Sequence, residues 1–225
     1  MIFDILRHGM SLSVFIQLMA RVFIVFCIMP IHEYAHALIA SKLGDDTARL
    51  SGRLTLNPFA HVDPIGAIMI LLVGFGYAKP VPVNPRNFKN PKKGMALTAL
   101  AGPVSNLILA LIFLIPAYGI EVFVYDNNPM MQAIVVFLSS AASLNVGLAV
   151  FNLIPVPPLD GSRIFNVIIP SKYYFKIMQY ERYIVLAIFA LLFFGVLDIP
   201  LNYISNLLMK ALIKIASLPY LPFIK

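Results

Sequence analysis

Residues 22–41 read VFIVFCIMPIHEYAHALIAS. The stretch is mostly apolar and about as long as a bilayer-crossing helix needs, roughly 20 residues. Three ionisable side chains, His32, Glu33 and His36, nevertheless sit in its middle. Charged groups at that depth cost about 2.5–3.5 kcal/mol each on insertion scales, so their presence calls for a function. His32-Glu33-Tyr34-Ala35-His36 fits the H-E-x-x-H pattern. Histidines four apart share one face of a helix, and both imidazoles can then reach one metal ion. Glu33 adjoins them, where a carboxylate can take the proton of a water that zinc has acidified. A polar cluster that merely glues helices together would need neither two histidines nor this spacing.

Working outward, the whole chain has the character of that stretch. Of its 225 residues 60% are hydrophobic and 12% charged, and the mean hydropathy is +0.86. Soluble domains carry about 25% charged residues, so this chain cannot cover a water-facing surface and must present much of itself to lipid. The net charge of +7 could suggest nucleic acid in a soluble protein. Here the basic residues cluster in particular loops, which indicates positive-inside topology beside anionic lipid and no nucleic-acid partner. The one cysteine, Cys27, excludes a disulfide framework and a cysteine-based zinc site. Apolar runs follow one another without a long polar linker, internal repeat or cleavable signal sequence, so residues 1–225 are expected to form a single membrane-embedded domain.

Further spans are expected at 95–118 and 131–154, the latter rich in small residues that let helices approach closely. Two more are expected at 183–197 and 201–218, joined by a tight turn at Asp198, Ile199 and Pro200. Residues 2–20 either extend the first helix or lie along the interface. The alternation in ARLSGRLTL, residues 48–56, predicts a small β-hairpin turning at Ser51-Gly52. Residues 65–78 are apolar but short for a crossing, so a re-entrant or interfacial segment is expected. The expected fold is an all-α polytopic membrane protein. It is a bundle of about five to six transmembrane segments with a small membrane-associated hairpin or re-entrant insertion.

Charge orients the bundle. Residues 79–93 carry Lys79, Arg86, Lys89, Lys92 and Lys93, whereas residues 119–130 carry no Lys or Arg. The first loop is expected on the cytoplasmic side and the second outside. Arg163, Lys172, Lys176 and Arg182 return 155–182 to the cytoplasmic side, and Lys210, Lys214 and Lys225 place the C-terminus there.

A zinc peptidase needs a third protein ligand and an open position. The remaining histidines are His8 and His61, and the best carboxylate is Asp160, in NLIPVPPLDG at 152–161. The prolines stop the preceding helix, and unwound backbone there can aim Asp160 inward. The ligands meet only if the HEYAH helix ends on the cytoplasmic side, which requires that 65–78 does not cross.

HEYAH (32–36), GRLTLNPFAHVDPIG (52–66), AKPVPVNPRNFKNPKKGM (78–95), ALAGPVSN (99–106) and NLIPVPPLDG, in this order, resemble the site-2 proteases, which are intramembrane zinc metallopeptidases. The resemblance covers about residues 20–165 and fits the minimal prokaryotic branch without PDZ or CBS domains. It implies one zinc ion held by His32, His36 and Asp160, Glu33 as catalytic base, and Asn152 as a holder of the substrate carbonyl. It further implies a transmembrane protein substrate, a home in the inner membrane of a prokaryote and an active site opening towards the cytoplasm. His61, near the expected site, is a second candidate substrate contact. Asn106 and Asn145 lie in spans and are expected to bridge helices or touch the site; Gly102-Pro103 is expected to kink or pack its helix. A metal transporter is the rival reading, but transport would favour ligands at several depths, and here they form one site. An inactive relative that only holds membrane segments is disfavoured, because all the expected catalytic positions are filled.

Overall fold

The computed structural model describes residues 12–72, 76–124, 128–169 and 171–223; His8, Lys225 and the start of the 2–20 stretch lie outside them. The first span begins earlier than its sequence suggests. Helix α1, Leu12–Phe23, runs through a π-helical turn at Ile24–Ile28 into α2, Met29–Lys42. The described part of 2–20 is thus an extension of the HEYAH helix. Helix α3, Thr47–Leu50, α4, Pro58–His61, and α5, Pro64–Leu72, are short. Helix α6, Pro91–Phe123, and α7, Pro129–Asn152, are long. They are followed by α8, Asp160–Phe165, α9, Ser171–Met178, α10, Glu181–Phe193, and α11, Asp198–Ser217. Both long central helices start on a proline preceded by an asparagine. The Asn90 side chain accepts from Lys93 N and the Asn128 side chain from Met130 N, which satisfies backbone donors a helix start leaves free.

Among the described residues four helical stretches are long and apolar enough to cross a membrane: Val14–Lys42, Pro91–Phe123, Pro129–Asn152 and Asp198–Phe223. This is a membrane protein. Helix α10, expected as part of a span at 183–197, has 13 residues; at 1.5 Å per residue it reaches about 20 Å, short of a hydrocarbon core of about 30 Å. The turn expected at Asp198-Pro200 lies a few residues earlier, around Gly195, and Asp198, Ile199 and Pro200 open α11. Proline is tolerated in a first helical turn because its missing N–H has no partner there anyway.

Helix α6 is the centre of the bundle, packing against α2, α7, α8 and α11. The α6–α7–α11 contact is built on Ala110, Leu114, Ala142, Val146, Val150 and Ala216. The small residues in that set let backbones approach closely, which is how helices associate where burial from water supplies little drive. A second core joins Ile24, Val25, Ile28 and Met29 to Ile70 of α5. On the outer side of α6, Leu97, Val104, Ile108 and Ile112 are exposed. A helix apolar on both faces packs its small residues inward and shows the larger ones to lipid.

The hairpin expected over 48–56 does not form: no strand occurs there, and Thr47–Leu50 is helical. Asp45 decides this. Its carboxylate accepts from Thr47 N at 3.1 Å and Thr47 Oγ1 at 2.5 Å, which starts a helical turn. The turn ends at Gly52, whose φ of +68° is a left-handed conformation glycine adopts without strain. Arg53 N bonds back to Ala48 O and Gly52 N to Arg49 O, the paired pattern of a Schellman stop. Ser51-Gly52 is therefore a helix ending and not a strand turn. The loop carrying Asn84 and Asn87 is tied to the same carboxylate, at 2.7 Å each.

Residues 64–72 form a helix of nine residues, too short to cross. The chain then doubles back. Val62 and Ala78 form an antiparallel bridge, and Lys79 N donates to His61 O at 2.8 Å. The two ends of this apolar insertion lie side by side, as a segment that enters and leaves at one level must.

Candidate active site

His32, Glu33 and His36 lie on α2, which ends six residues beyond His36, and all three are buried, at 8%, 8% and 7% exposure. Asp160 arrives from the other end of the chain, at the start of α8. After α7 stops at Asn152, Pro155, Pro157 and Pro158 keep the chain out of helix, and Leu159 N bonds back to Val156 O. Gly161 lies against the carbonyls of Leu153 and Ile154, where a side chain would have no room. This folded-back turn carries the Asp160 carboxylate to the histidines.

The donor atoms converge. His32 Nε2 and His36 Nε2 are 3.0 Å apart, and Asp160 Oδ2 lies 3.4 Å from the first and 3.3 Å from the second. Tetrahedral zinc with bonds of about 2.0–2.2 Å sets its ligand atoms about 3.3–3.6 Å apart. The two edges to Asp160 fall in that range, and the edge between the histidines is about 0.3 Å shorter. His36 Nδ1 is 2.7 Å from Thr98 O. A carbonyl only accepts, so Nδ1 carries the proton and Nε2 is the ring atom turned to the site. Asp160 Oδ2 is buried and has no hydrogen-bond donor of its own. Three electron-rich atoms this close suit a cation between them, so the residues present fit a zinc ion.

The site opens into a cavity of about 520 Å³ whose lining includes His32, Glu33, His36, Asn106, Asn152 and Asp160. Apolar walls come from Met29, Ile70, Leu148 and Phe151, and one side is the extended chain around Ala78, Pro80, Val81 and Val83. Val185, Ile188 and Phe189 of α10 close part of the rim. Asn152 is in the lining, with Nδ2 donating to Leu148 O at 3.0 Å. His61 is not. It is fully buried, and its Nε2 donates to Thr55 O at 2.7 Å, pinning the loop before α4. Arg53, also buried, donates to Lys79 O and holds the extended chain from the other side. Burial pushes its guanidinium below the ordinary value, and the nearby charge of Glu33 opposes that.

Two residues of the site escaped sequence reasoning in their present roles. Thr98 contributes only its backbone carbonyl, which no side-chain pattern reveals. Gly102 serves by being small: a Cβ there would fall 2.5 Å from His32 Cε1 and 2.5 Å from His36 Cε1. The signal available was the four-residue spacing of Thr98, Gly102 and Asn106, which puts them on one stripe of α6.

Comparison with known proteins places the chain among its relatives. The profile described as Peptidase family M50 matches residues 118–195. The chain is 49% identical over 157 residues to YwhC of Bacillus subtilis, named as a proposed zinc metalloprotease; the match covers 68% of this chain and 70% of that protein. It is 31% identical over 166 residues to Rip2 of Mycolicibacterium smegmatis, named likewise, covering 70% of this chain and 59% of Rip2. The zinc metalloprotease MJ0392 of Methanocaldococcus jannaschii is 26% identical over 150 residues, 67% of this chain and 34% of its own length. No solved structure matches the chain. With a relative this similar over most of its length, and a family profile that matches in its second half, the chain belongs to peptidase family M50.

Proposed function

We propose that the chain is an intramembrane zinc metalloprotease that hydrolyses peptide bonds within or near transmembrane segments of membrane protein substrates. The observation that carries this reading is the meeting of His32, His36 and Asp160 donor atoms beside Glu33, in a cavity walled by membrane helices. In this reading His32, His36 and Asp160 hold one zinc ion. Bound zinc supplies Lewis acidity, which polarises the scissile carbonyl and acidifies the attacking water. Glu33 takes the water's proton and returns it to the leaving amine. Asn152, at the end of α7 and in the cavity lining, holds the substrate carbonyl in this reading. The apolar walls exclude bulk water and receive the side chains of an unwound substrate. The extended residues 78–83 offer it a backbone edge. The proposal treats residues 1–225 as one membrane-embedded peptidase domain.

The setting supports a multi-pass protein of a prokaryotic inner membrane with the site open to the cytoplasm. The relatives come from bacteria and an archaeon. The loop before α6 is strongly basic, and the described part of 119–130 has no basic residue. The test is cleavage of a single-pass test substrate by purified protein in detergent, comparing wild type with Glu33→Gln and measuring metal on both. Loss of cleavage by about 10²-fold or more with zinc retained is expected. Equal cleavage by the two proteins would overturn the assignment of Glu33.

A further inference from the structure

Asn106 is fully buried in the middle of a membrane-spanning helix, and neither Oδ1 nor Nδ2 has a hydrogen-bond partner. An unpaired buried carboxamide forfeits about 1–3 kcal/mol, and lipid offers no water to relieve it. The other two asparagines of the bundle differ. Asn145 is equally buried, but its Nδ2 donates to Ala141 O and it does not face the cavity. Asn152 faces the cavity with Nδ2 already engaged by Leu148 O. Among the described asparagines, Asn106 alone pairs a wholly unengaged carboxamide with a place in the cavity lining.

Its position is set by the same stripe that serves the histidines. Thr98 accepts from His36, Gly102 lies against both imidazoles, and Asn106 follows one turn on. One turn between Gly102 and Asn106 is about 6 Å along the helix axis. An extended peptide rises about 3.3 Å per residue, so the carboxamide stands about two residues from the metal-binding triad. A carboxamide presents an N–H donor and a C=O acceptor side by side, as a peptide group does.

We propose that Asn106 is a substrate-binding residue whose carboxamide hydrogen-bonds a main-chain peptide group of the unwound substrate, about two residues from the scissile bond. The inference rests on the proteolytic reading above and deepens it: recognition at this point is of backbone and not of side chain. It explains how the chain tolerates a polar group at this depth, since substrate supplies the partner.

The test uses the full chain in detergent. The probe is a fluorescein-labelled synthetic peptide with Lys-flanked apolar residues, roughly 20 long, and a central Asn-Pro pair. Binding is measured by anisotropy in a Glu33→Gln background, so that no turnover interferes, with thermal midpoint and zinc content read on each protein. Asn106→Leu is expected to melt no lower than its parent and to keep its zinc, because it removes unpaired polar atoms at similar volume. Its Kd for the probe is expected to rise about 5- to 30-fold, the equivalent of one to two hydrogen bonds. Asn106→Ser, which keeps a donor and an acceptor, should fall between the two. An unchanged Kd in Asn106→Leu would overturn the assignment, as would a lower melting point with lost zinc, which would make Asn106 a structural bridge. Wild-type protein that binds the probe without cleaving it would instead sink the proteolytic reading. Failure of the parent to bind it would count against both.

Discussion

His36 Nδ1 donates to the backbone carbonyl of Thr98 at 2.7 Å, across the contact between α2 and α6. The bond joins residues 62 positions apart in the chain. It orients one imidazole, fixes its tautomer, and makes α6 part of the site although α6 supplies no metal-binding side chain.

Gly102→Ala tests how closely α6 must approach. The added methyl would fall within 2.5 Å of both imidazoles, so the rings that converge on the site would have to shift. Zinc affinity is expected to fall about 10- to 100-fold, as when a partner that orients a ligand is lost. Secondary structure by circular dichroism should not change. Zinc uptake at sub-stoichiometric metal as complete as that of wild type would show that the histidines adapt.

Removing the metal should destabilise the bundle as well as stop the chemistry. The triad draws α2 and α8 together across the cavity floor, and a ligand that binds only the folded state stabilises it by mass action. Treatment with 1,10-phenanthroline is expected to lower the thermal midpoint in detergent, and added zinc to restore it. The same treatment of Asp160→Asn should change little, because the variant holds metal weakly from the start. Equal shifts in both proteins would mean that the chelator acts elsewhere.

Asp45 gives the fold a pH dependence outside the membrane. Burial would raise its pKa, but hydrogen bonds from the Thr47 hydroxyl, Asn84 N, Asn87 Nδ2 and Thr47 N outweigh that and lower it below the usual carboxylate value. A depressed folded-state pKa adds stability above the unfolded-state value, and that stability is lost as pH falls through the folded-state value. Asp45→Ala should therefore destabilise the 43–50 and 84–88 loops by about 2–4 kcal/mol at neutral pH, with several donors left unpaired. The gap to wild type should narrow below about pH 4. Proteolysis within these loops, followed from pH 7 to 3, measures it; a gap independent of pH would exclude the carboxylate as its origin.

Much of the candidate site was legible from local pattern. The H-E-x-x-H spacing needs only helical geometry to put two imidazoles on one face, and ionisable groups in an apolar run stand out because lipid makes them costly. Asp160 was legible because prolines halt a helix wherever they fall. The hairpin reading failed because alternation in ARLSGRLTL is a local signal, while Asp45, outside that stretch, starts a helical turn that Gly52 ends.

By itself the sequence determined that this is a membrane protein, roughly where its long helices lie, and which side chains are candidates for metal chemistry. Each of these follows from apolar run length, helical periodicity or a proline, properties of neighbours along the chain. Only the tertiary structure decided that Asp160 comes within 3.4 Å of the histidines, that Gly102 leaves them room, that His61 is turned away into a loop contact, and that Asn106 faces the cavity with nothing to bind. These are facts of how α2, α6 and α8 pack, set by small residues at helix crossings and by backbone carbonyls that every sequence shares.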